Sequence, residues 1–265
     1  MFQTTYFKFV NHAPIRCLPL TTHCLHNSPT PARSRYSTND ERGIVGQRMM
    51  DNTLTKTIED FGARVASVWE GLRPTTRTLV ERALVASQTP AAGGVVSRPG
   101  GAAYDARAEW ELSRLLAAFD DRATEAGVSA LNAEQTRELR HMAETCALVL
   151  HLQARSAEVF AQLLERALLA REYARVDALA DTILKRLAPT EICELARHPN
   201  PPVRAIAHEA LLQTPISALV GLLNDPVDSD IARDALERQA AEFGSEEARW
   251  VVSALERADD AEEDL

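Results

Sequence analysis

Histidine and cysteine side chains close to the N-terminus are the first candidates for chemistry. Cys17 is followed by His23, Cys24 and His26, four side chains of the types that bind zinc. Their spacing matches no common zinc-site pattern, and the surrounding Pro-rich segment supplies no residues to orient the ligands. We therefore predict no metal site in this segment.

A second candidate is a cysteine with a histidine five residues away on each side. Cys146 lies between His141 and His151, and a catalytic Cys–His pair needs its two side chains in contact. On a helix, a separation of five places each histidine on a face next to that of the cysteine, so we predict packing instead. Cys146 and Cys193 fall on apolar helical stripes, which predicts buried free thiols and suits a reducing compartment.

Paired carboxylates and glycines give no catalytic signature either. The pairs Asp120-Asp121 and Glu246-Glu247 are predicted at helix surfaces or ends, where nothing shifts a carboxyl pKa. The Gly-rich stretch at 88–104 has no Gly-Lys-Ser/Thr and follows no strand, so it does not predict a phosphate loop. Serine-hydrolase, zinc-protease and dinucleotide-binding motifs are absent from the sequence. We expect no catalytic residue and no cofactor.

Composition favours helices. The chain has 265 residues, of which 45% are hydrophobic but only 5% aromatic, and Ala and Leu dominate the apolar set. No apolar run approaches the roughly 18 residues of a membrane span. The formal net charge is −9; residues 1–50 carry six basic and two acidic residues, which leaves −13 on the remainder. An acidic body argues against nucleic acid as a partner.

Residues 1–50 differ in composition from everything after them and are predicted to be a disordered leader. One interpretation is an upstream region translated by mistake, with the true start at Met49 or Met50. The other is a mitochondrial targeting peptide over residues 1–36, which is acid-poor and contains Arg and Ser. The first interpretation predicts a cytoplasmic protein, and the second predicts a mitochondrial one.

Periodicity divides the rest of the chain into helices and one linker. Apolar spacings of three and four predict helices at 53–72 and 75–87, which form a hairpin over 51–88. A flexible Gly/Pro linker is predicted at 89–104. A helical domain follows at 105–257, and an acidic tail at 258–265.

Within the 105–257 domain, helix boundaries are marked by cap residues. Predicted helices run over 105–126, 132–153, from 156 to about 168, 174–187 and 245–257. Asn132 and Gln135 have the spacing of a capping box, and Gly127 is a candidate C-terminal cap. Trp110 is assigned to the apolar stripe of its helix, and Trp250, Val251 and Leu255 are expected to close the core.

A Pro-rich turn followed by a small-residue helix occurs at 198–212 and is partly repeated. Apolar residues recur at helical spacing through this helix, and Ile206–Leu211 is matched 25 residues later by Ile231–Leu236. Pro201 and Pro226 keep the same offset. The pattern resembles a HEAT-type helical repeat over about 189–240, although His198 replaces the usual acidic residue. This resemblance implies a helical bundle continuing into a short HEAT-like α-solenoid.

The segment at 167–180 resembles, more weakly, the centre of a tetratricopeptide-type unit. In that family Gly usually precedes the conserved Tyr, whereas here Arg171-Glu172 stands before Tyr173. Only one copy is visible, and a generic helix–turn–helix explains the pattern equally well. The resemblance adds no expectation beyond two helices joined by a short turn.

The HEAT-like resemblance implies a non-catalytic adaptor or scaffold that binds an unidentified protein. Its candidate binding face is formed by five residues of the second helices: Arg204, His208, Arg233, Glu237 and Arg238. For Arg204 the alternative is a bridge between successive repeats, and for His208 a pH-sensitive contact. Two other functions stay open: an accessory or lyase-like enzyme subunit, and a regulatory module whose hairpin at 51–88 docks onto the repeats.

Overall fold

The structure, a computed structural model, describes residue 54 and residues 57–88, 104–125 and 131–263. In these residues helices and short turns form all of the regular structure, which confirms the predicted all-α class. The predicted leader at 1–50, nearly all of the linker at 89–104, Gly127 and the candidate zinc ligands lie outside them. The helices are α1 (Ala63–Gly71), α2 (Pro74–Gln88), α3 (Ala106–Thr124), α4 (Ala133–Gln153), α5 (Ala157–Leu169), α6 (Tyr173–Arg186), α7 (Pro189–Ala196), α8 (Pro201–Leu212), α9 (Ile216–Leu222), α10 (Ser229–Glu242) and α11 (Glu246–Glu263).

Helices that are neighbours in sequence pack as pairs, and each pair packs on the next. The pairs are α3–α4, α5–α6, α7–α8 and α9–α10. Each odd-numbered helix from α1 to α9 also contacts the next odd-numbered helix, and α2–α4, α6–α8 and α8–α10 make the corresponding contacts among the even-numbered helices. One apolar core therefore runs along the chain from Ile58 to Ala248.

The segment predicted as one helix over 53–72 is interrupted. Residues 57–60 are helical, and the chain then turns at Gly62, whose φ of 111° is unfavourable for residues with a Cβ. Helix α1 begins immediately after this turn. The prediction of a continuous helix was wrong because apolar spacing continues through the glycine, whereas the backbone does not.

The N-terminal helices share the core of the helices that follow them. Phe61 meets Phe119 of α3 edge to face, with ring centroids 6.2 Å apart. Trp69 of α1 is only 2% exposed, and α2 contacts both α3 and α4. The two helices of the predicted hairpin therefore lie against α3 and α4, and their apolar residues are buried by that packing.

Two tryptophans lie outside the core, contrary to prediction. Trp110 is 50% exposed and stacks against the Arg114 guanidinium, 4.7 Å from the ring centroid. Trp250 is 77% exposed, whereas Ala248, two residues earlier on α11, is fully buried. Helix α11 also continues to Glu263, beyond its predicted end at 257.

Acidic side chains from other helices accept hydrogen bonds from helix N-termini that have no capping side chain close by in the sequence. Glu111 of α3 is 3% exposed and accepts hydrogen bonds from the Arg73 amide (3.3 Å), the Arg73 guanidinium (3.0 Å) and the Thr76 hydroxyl (2.5 Å). These donors lie at the start of α2. Burial alone would raise the pKa of Glu111, but the hydrogen bonds from Thr76 and Arg73 and the charge of Arg73 hold it below its ordinary value.

The first turn of α5 is held in the same way by two other helices. Ser156 is its N-cap residue but makes no side-chain cap. Instead Glu109 of α3 accepts from the amides of Arg155 (3.1 Å) and Ser156 (3.0 Å), and Glu191 of α7 accepts from the amide of Ala157 (2.5 Å). Amides at the start of a helix have no partner within that helix. Here their acceptors lie on α3 and α7, so the two carboxylates connect α5 to both of these helices.

Polar bridges also join the C-terminal helices. The Gln239 amide, 6% exposed on α10, donates to the carbonyls of Leu211 (3.2 Å) and Thr214 (2.9 Å), at the end of α8. The guanidinium of Arg197, which follows α7, binds the buried carboxylate of Asp228 at 2.5 Å, just before α10. Ends of successive helices are thereby fixed to one another.

The turn between α5 and α6 contains a strained residue. The Glu172 amide donates to the Ala167 carbonyl (2.9 Å) and the Arg171 amide to the Leu168 carbonyl (3.1 Å), the two bonds of a Schellman motif. Arg171 has a φ of 59°, a region that favours glycine at this position. The sequence pattern had already shown arginine where glycine is usual.

No single described helix is long and apolar enough to cross a membrane; α8 and α9 meet that condition only when taken together, across a bend of 118°.

Replacing Glu111 with Gln is expected to lower the free energy of unfolding by about 2–4 kcal/mol at pH 7, because charge-assisted bonds to the start of α2 are lost. The pKa of Glu111 is lower in the folded state than its ordinary value of 4.5, so ionised Glu111 stabilises the fold above that value. This contribution is lost as the pH falls through the folded-state pKa.

Urea unfolding from pH 7 down to pH 3 should show the difference between wild type and E111Q shrinking with acidity. E134Q is the matched control: Glu134 is exposed and paired with Arg137, so its loss should change stability by less than about 0.5 kcal/mol. A pH-independent difference for E111Q would contradict the assignment.

Replacing Arg171 with Gly is expected to raise the free energy of unfolding by about 0.5–1 kcal/mol, the relief of left-handed strain less the added entropy of the unfolded glycine. Denaturant unfolding measures this change. R171A removes the same charge but keeps a Cβ, and it should give no such gain. Equal stability of R171G and R171A would show that φ at this turn costs nothing.

Candidate functional site

The cysteine with flanking histidines does not form a catalytic arrangement. Cys146 is fully buried, and burial raises the pKa of its thiol to about 12, so it stays protonated at neutral pH. Cys193 is also fully buried, with a pKa raised to about 11 mainly by burial. Both are free thiols, as predicted. His141 faces another element, where its Nε2 lies 3.2 Å from the Ser87 hydroxyl.

His151, in the last turn of α4, lies close to α6. Burial, together with the nearby guanidiniums of Arg186 and Arg175, lowers the pKa of His151. Arg186 of α6 donates to the backbone carbonyl of His151, and the buried Nδ1 of this histidine has no hydrogen-bond partner among the described residues. The hydrogen bond from Arg186 to His151 therefore joins α6 to α4.

The predicted binding face on α8 and α10 consists of Arg204, His208, Arg233, Glu237 and Arg238, and we call it the α8–α10 face. Arg204 does not bridge to the next pair of helices. Its guanidinium donates to the carbonyls of His198 (2.9 Å) and Pro199 (2.8 Å), the turn that precedes its own helix. Arg197 makes the bridge between successive helix pairs that was the alternative prediction for Arg204, since it binds Asp228 just before α10.

The other residues of the α8–α10 face lie on adjoining helices. His208 Nδ1 is 3.8 Å from an Asp234 carboxylate oxygen across the two helices, an ion pair only when His208 is protonated. Arg238 is partly exposed and pairs with Glu242 at 2.9 Å, one turn further along α10. Glu237 is exposed, and Arg233 is partly exposed. The structure thus places these side chains on neighbouring helices with charge of both signs.

A groove that the sequence did not reveal crosses three odd-numbered helices. It has a volume of about 410 Å³ and lies over α3, α5 and α7. Three exposed glutamates line it, namely Glu158 and Glu165 of α5 and Glu194 of α7, and we call it the glutamate groove. Buried Ala161 and Leu195 form part of its floor. An acidic, partly apolar groove of this size suits a bound side chain or peptide segment.

A second cavity, of about 460 Å³, lies beside the turn at Gly62. Its basic side chains are paired: Arg64 with Asp121 at 2.6 Å, and Arg122 with Glu125 at 2.7 Å. The cavity is lined on one side by Glu125 and Leu131, between which the chain lies outside the described residues. Of the paired carboxylates predicted as a solvated helix surface, Asp121 binds Arg64 and Asp120 binds Arg166 of α5.

The glutamate groove escaped sequence analysis because its walls come from distant parts of the chain. Glu158 and Glu165 are seven residues apart, which is two helical turns and places them on one face of α5. That spacing is visible in the sequence. Nothing in the sequence, however, shows that Glu194 and the α3 residues face the same side.

In the described parts of the chain, no group of three or more His, Cys, Asp or Glu side chains is arranged to hold a metal ion. Comparison of the chain with protein-family models, with curated proteins and with solved structures found no match. The HEAT-like pattern therefore stays a prediction.

The two buried thiols are expected to resist alkylation in the folded protein. N-ethylmaleimide at pH 8 should leave Cys146 and Cys193 unmodified while the chain is folded, because both are buried and fewer than about one thiol in a hundred is ionised. In 6 M guanidinium chloride both should react within minutes. Peptide mass spectrometry measures the extent at each residue, and rapid labelling of folded Cys146 would contradict its burial.

Proposed function

We propose that this protein is a non-catalytic scaffold that binds another protein through the outer faces of stacked helix pairs. The supporting observation is the packing of each pair on the next, from α3–α4 to α9–α10. Such packing places corresponding residues of successive helices side by side, which is how HEAT-like repeats form extended binding faces. The recurrence of Ile206–Leu211 at Ile231–Leu236 fits the same architecture.

The α8–α10 face is the proposed contact. It combines Arg204 and His208 of α8 with Glu237 and Arg238 of α10, so a partner meets positive and negative groups within one patch. Charges at a rim act mainly on specificity and association rate. Exchanging the charges at positions 237 and 238 should therefore weaken binding of the natural partner strongly, without altering the net charge of the protein.

The test is affinity capture by the full chain from extracts of its native cells, with quantitative mass spectrometry of what is retained. The variant E237K/R238E exchanges two charges on the α8–α10 face and leaves net charge unchanged. The control E134K/R137E exchanges an exposed ion pair on α4. A partner retained by wild type and by the control should fall at least tenfold with E237K/R238E, provided that circular dichroism and thermal midpoints match.

Two results would contradict the proposal. One is the absence of any protein retained above the level of a blank support. The other is a retained set that is identical for wild type and E237K/R238E, since binding would then not involve the α8–α10 face.

A further inference from the structure

The glutamate groove lies on a different set of helices from the α8–α10 face and has a distinct charge. The odd-numbered helices α3, α5 and α7 form it, whereas α8 and α10 are even-numbered. Glu158, Glu165 and Glu194 line it, with Arg114 as the arginine on its α3 side. The Arg114 guanidinium stacks on Trp110 at 4.7 Å. Carboxylates therefore dominate the charge of this groove.

Two of these carboxylates form no salt bridge among the described residues, although Arg114 and His198 also line the groove. In the described part of the chain, neither Glu158 nor Glu194 forms a salt bridge, whereas Glu165 accepts a hydrogen bond from the Asn200 side-chain amide at 3.1 Å. Glu158 and Glu194 are thus free to bind cationic groups from outside.

Small and apolar residues form part of the lining of the groove, beside His198 and the hydrogen-bonded pair Ser113–Gln162. Ala157 and Ala161 are buried on α5, and Leu195 is buried on α7. Ala117 of α3 is exposed and lines the same groove. Small side chains at these positions create the depression between the helices. An apolar floor between carboxylates matches a peptide with aliphatic stems and cationic ends, since arginine and lysine bury their stems while their charge stays outside.

The spacing of the carboxylates selects a helical occupant. Glu158 and Glu165 are two turns apart on α5, about 10 Å along its axis. On a bound helix, residues seven apart lie on one face at that same distance. In an extended segment, residues on one face are about 7 or 13 Å apart, and those about 10 Å apart point to opposite faces. A helix with basic residues on one face therefore fits better than a strand.

We propose that the glutamate groove binds a basic helical segment of a partner protein, whose arginine or lysine side chains pair with Glu158, Glu165 and Glu194. This inference rests on the proposed scaffold function and adds a second contact of defined chemistry to it. A nucleic acid does not fit, because the groove and phosphate would repel each other. A small polyamine is the competing occupant that the experiment must separate from a peptide.

The probe is a fluorescent, alanine-based helical peptide with three arginines spaced four and three residues apart, so that they share one face. The control peptide has the same sequence with glutamine at the three arginine positions. Fluorescence anisotropy with the full chain, at low and at physiological salt, measures binding. We expect the arginine peptide to bind with a Kd below about 100 μM at low salt and more weakly at higher salt, and the glutamine peptide not to bind.

Two variants of the groove separate a specific site from diffuse charge. E158Q/E165Q/E194Q removes the three carboxylates without changing side-chain shape, and binding should weaken at least tenfold. A117F keeps every charge but puts a ring into the groove from an exposed position, and it should also weaken binding at least fivefold. The control E138Q/E247Q/E256Q removes three exposed carboxylates elsewhere and should change the Kd by less than twofold.

Each of the following results would overturn the proposal: no binding of the arginine peptide by wild type, equal weakening by groove and control triples, or full binding by A117F. Displacement of the peptide by equimolar spermine would assign the groove to a polyamine instead. These failures leave the scaffold function intact if E237K/R238E still loses its partner in affinity capture. If wild type and E237K/R238E retain the same proteins while the arginine peptide still binds specifically, the α8–α10 face is rejected and the glutamate groove stands.

Discussion

Carboxylates that satisfy the ends of neighbouring helices are the interaction on which this structure depends. The amides in the first turn of a helix have no partner within that helix and must find one elsewhere. Glu109 and Glu191 accept from the start of α5, and Glu111 accepts from the start of α2. A negative charge at a helix N-terminus is also favoured by the helix dipole. Each contact therefore fixes the position of one helix relative to another as well as its end.

The buried polar groups are used within the fold, so the groups available for binding are those on the surface. Among the buried polar side chains, Glu109, Asp228 and Gln239 form hydrogen bonds at helix ends. Thr76 and Glu111 bond to each other at the start of α2. The buried thiol of Cys146 is inert because burial raises its pKa. The groups that the proposed scaffold function would use lie on the outside, and they include the groove glutamates and the charges of α8 and α10. Fixed helices make such surfaces well defined, which lowers the entropy lost on binding.

Local signals predicted helix ends well where the cap lies within the same few residues. Asn132 and Gln135 form the reciprocal capping box that their spacing indicates, with bonds of 2.8 and 3.0 Å. In contrast, nothing local marks Glu109 as the cap of α5. Glu109 lies 47 residues before Ser156, and the sequence cannot show which face of α3 will meet α5.

An error of helical phase accounts for the wrong placement of Trp110. The buried stripe of α3 runs through Leu112, Leu115, Leu116 and Phe119. Trp110 precedes Leu112 by two residues, a rotation of about 200° around the helix axis, so it lies on the opposite side of the helix. Hydrophobicity alone assigned Trp110 to the core, although its position in the period indicated the surface. The groove is a harder case, because its geometry exists only after α3, α5 and α7 are packed together.

Hydrogen–deuterium exchange of the amides of Arg155, Ser156 and Ala157 tests most directly whether neighbouring helices hold each other's ends. The amides of Tyr173 and Ala174, at the start of α6 without a side-chain cap, provide the comparison. We predict that the three amides at α5 exchange as slowly as those in the middle of that helix, and far more slowly than the two at α6. Equally fast exchange at both helix starts would contradict the account.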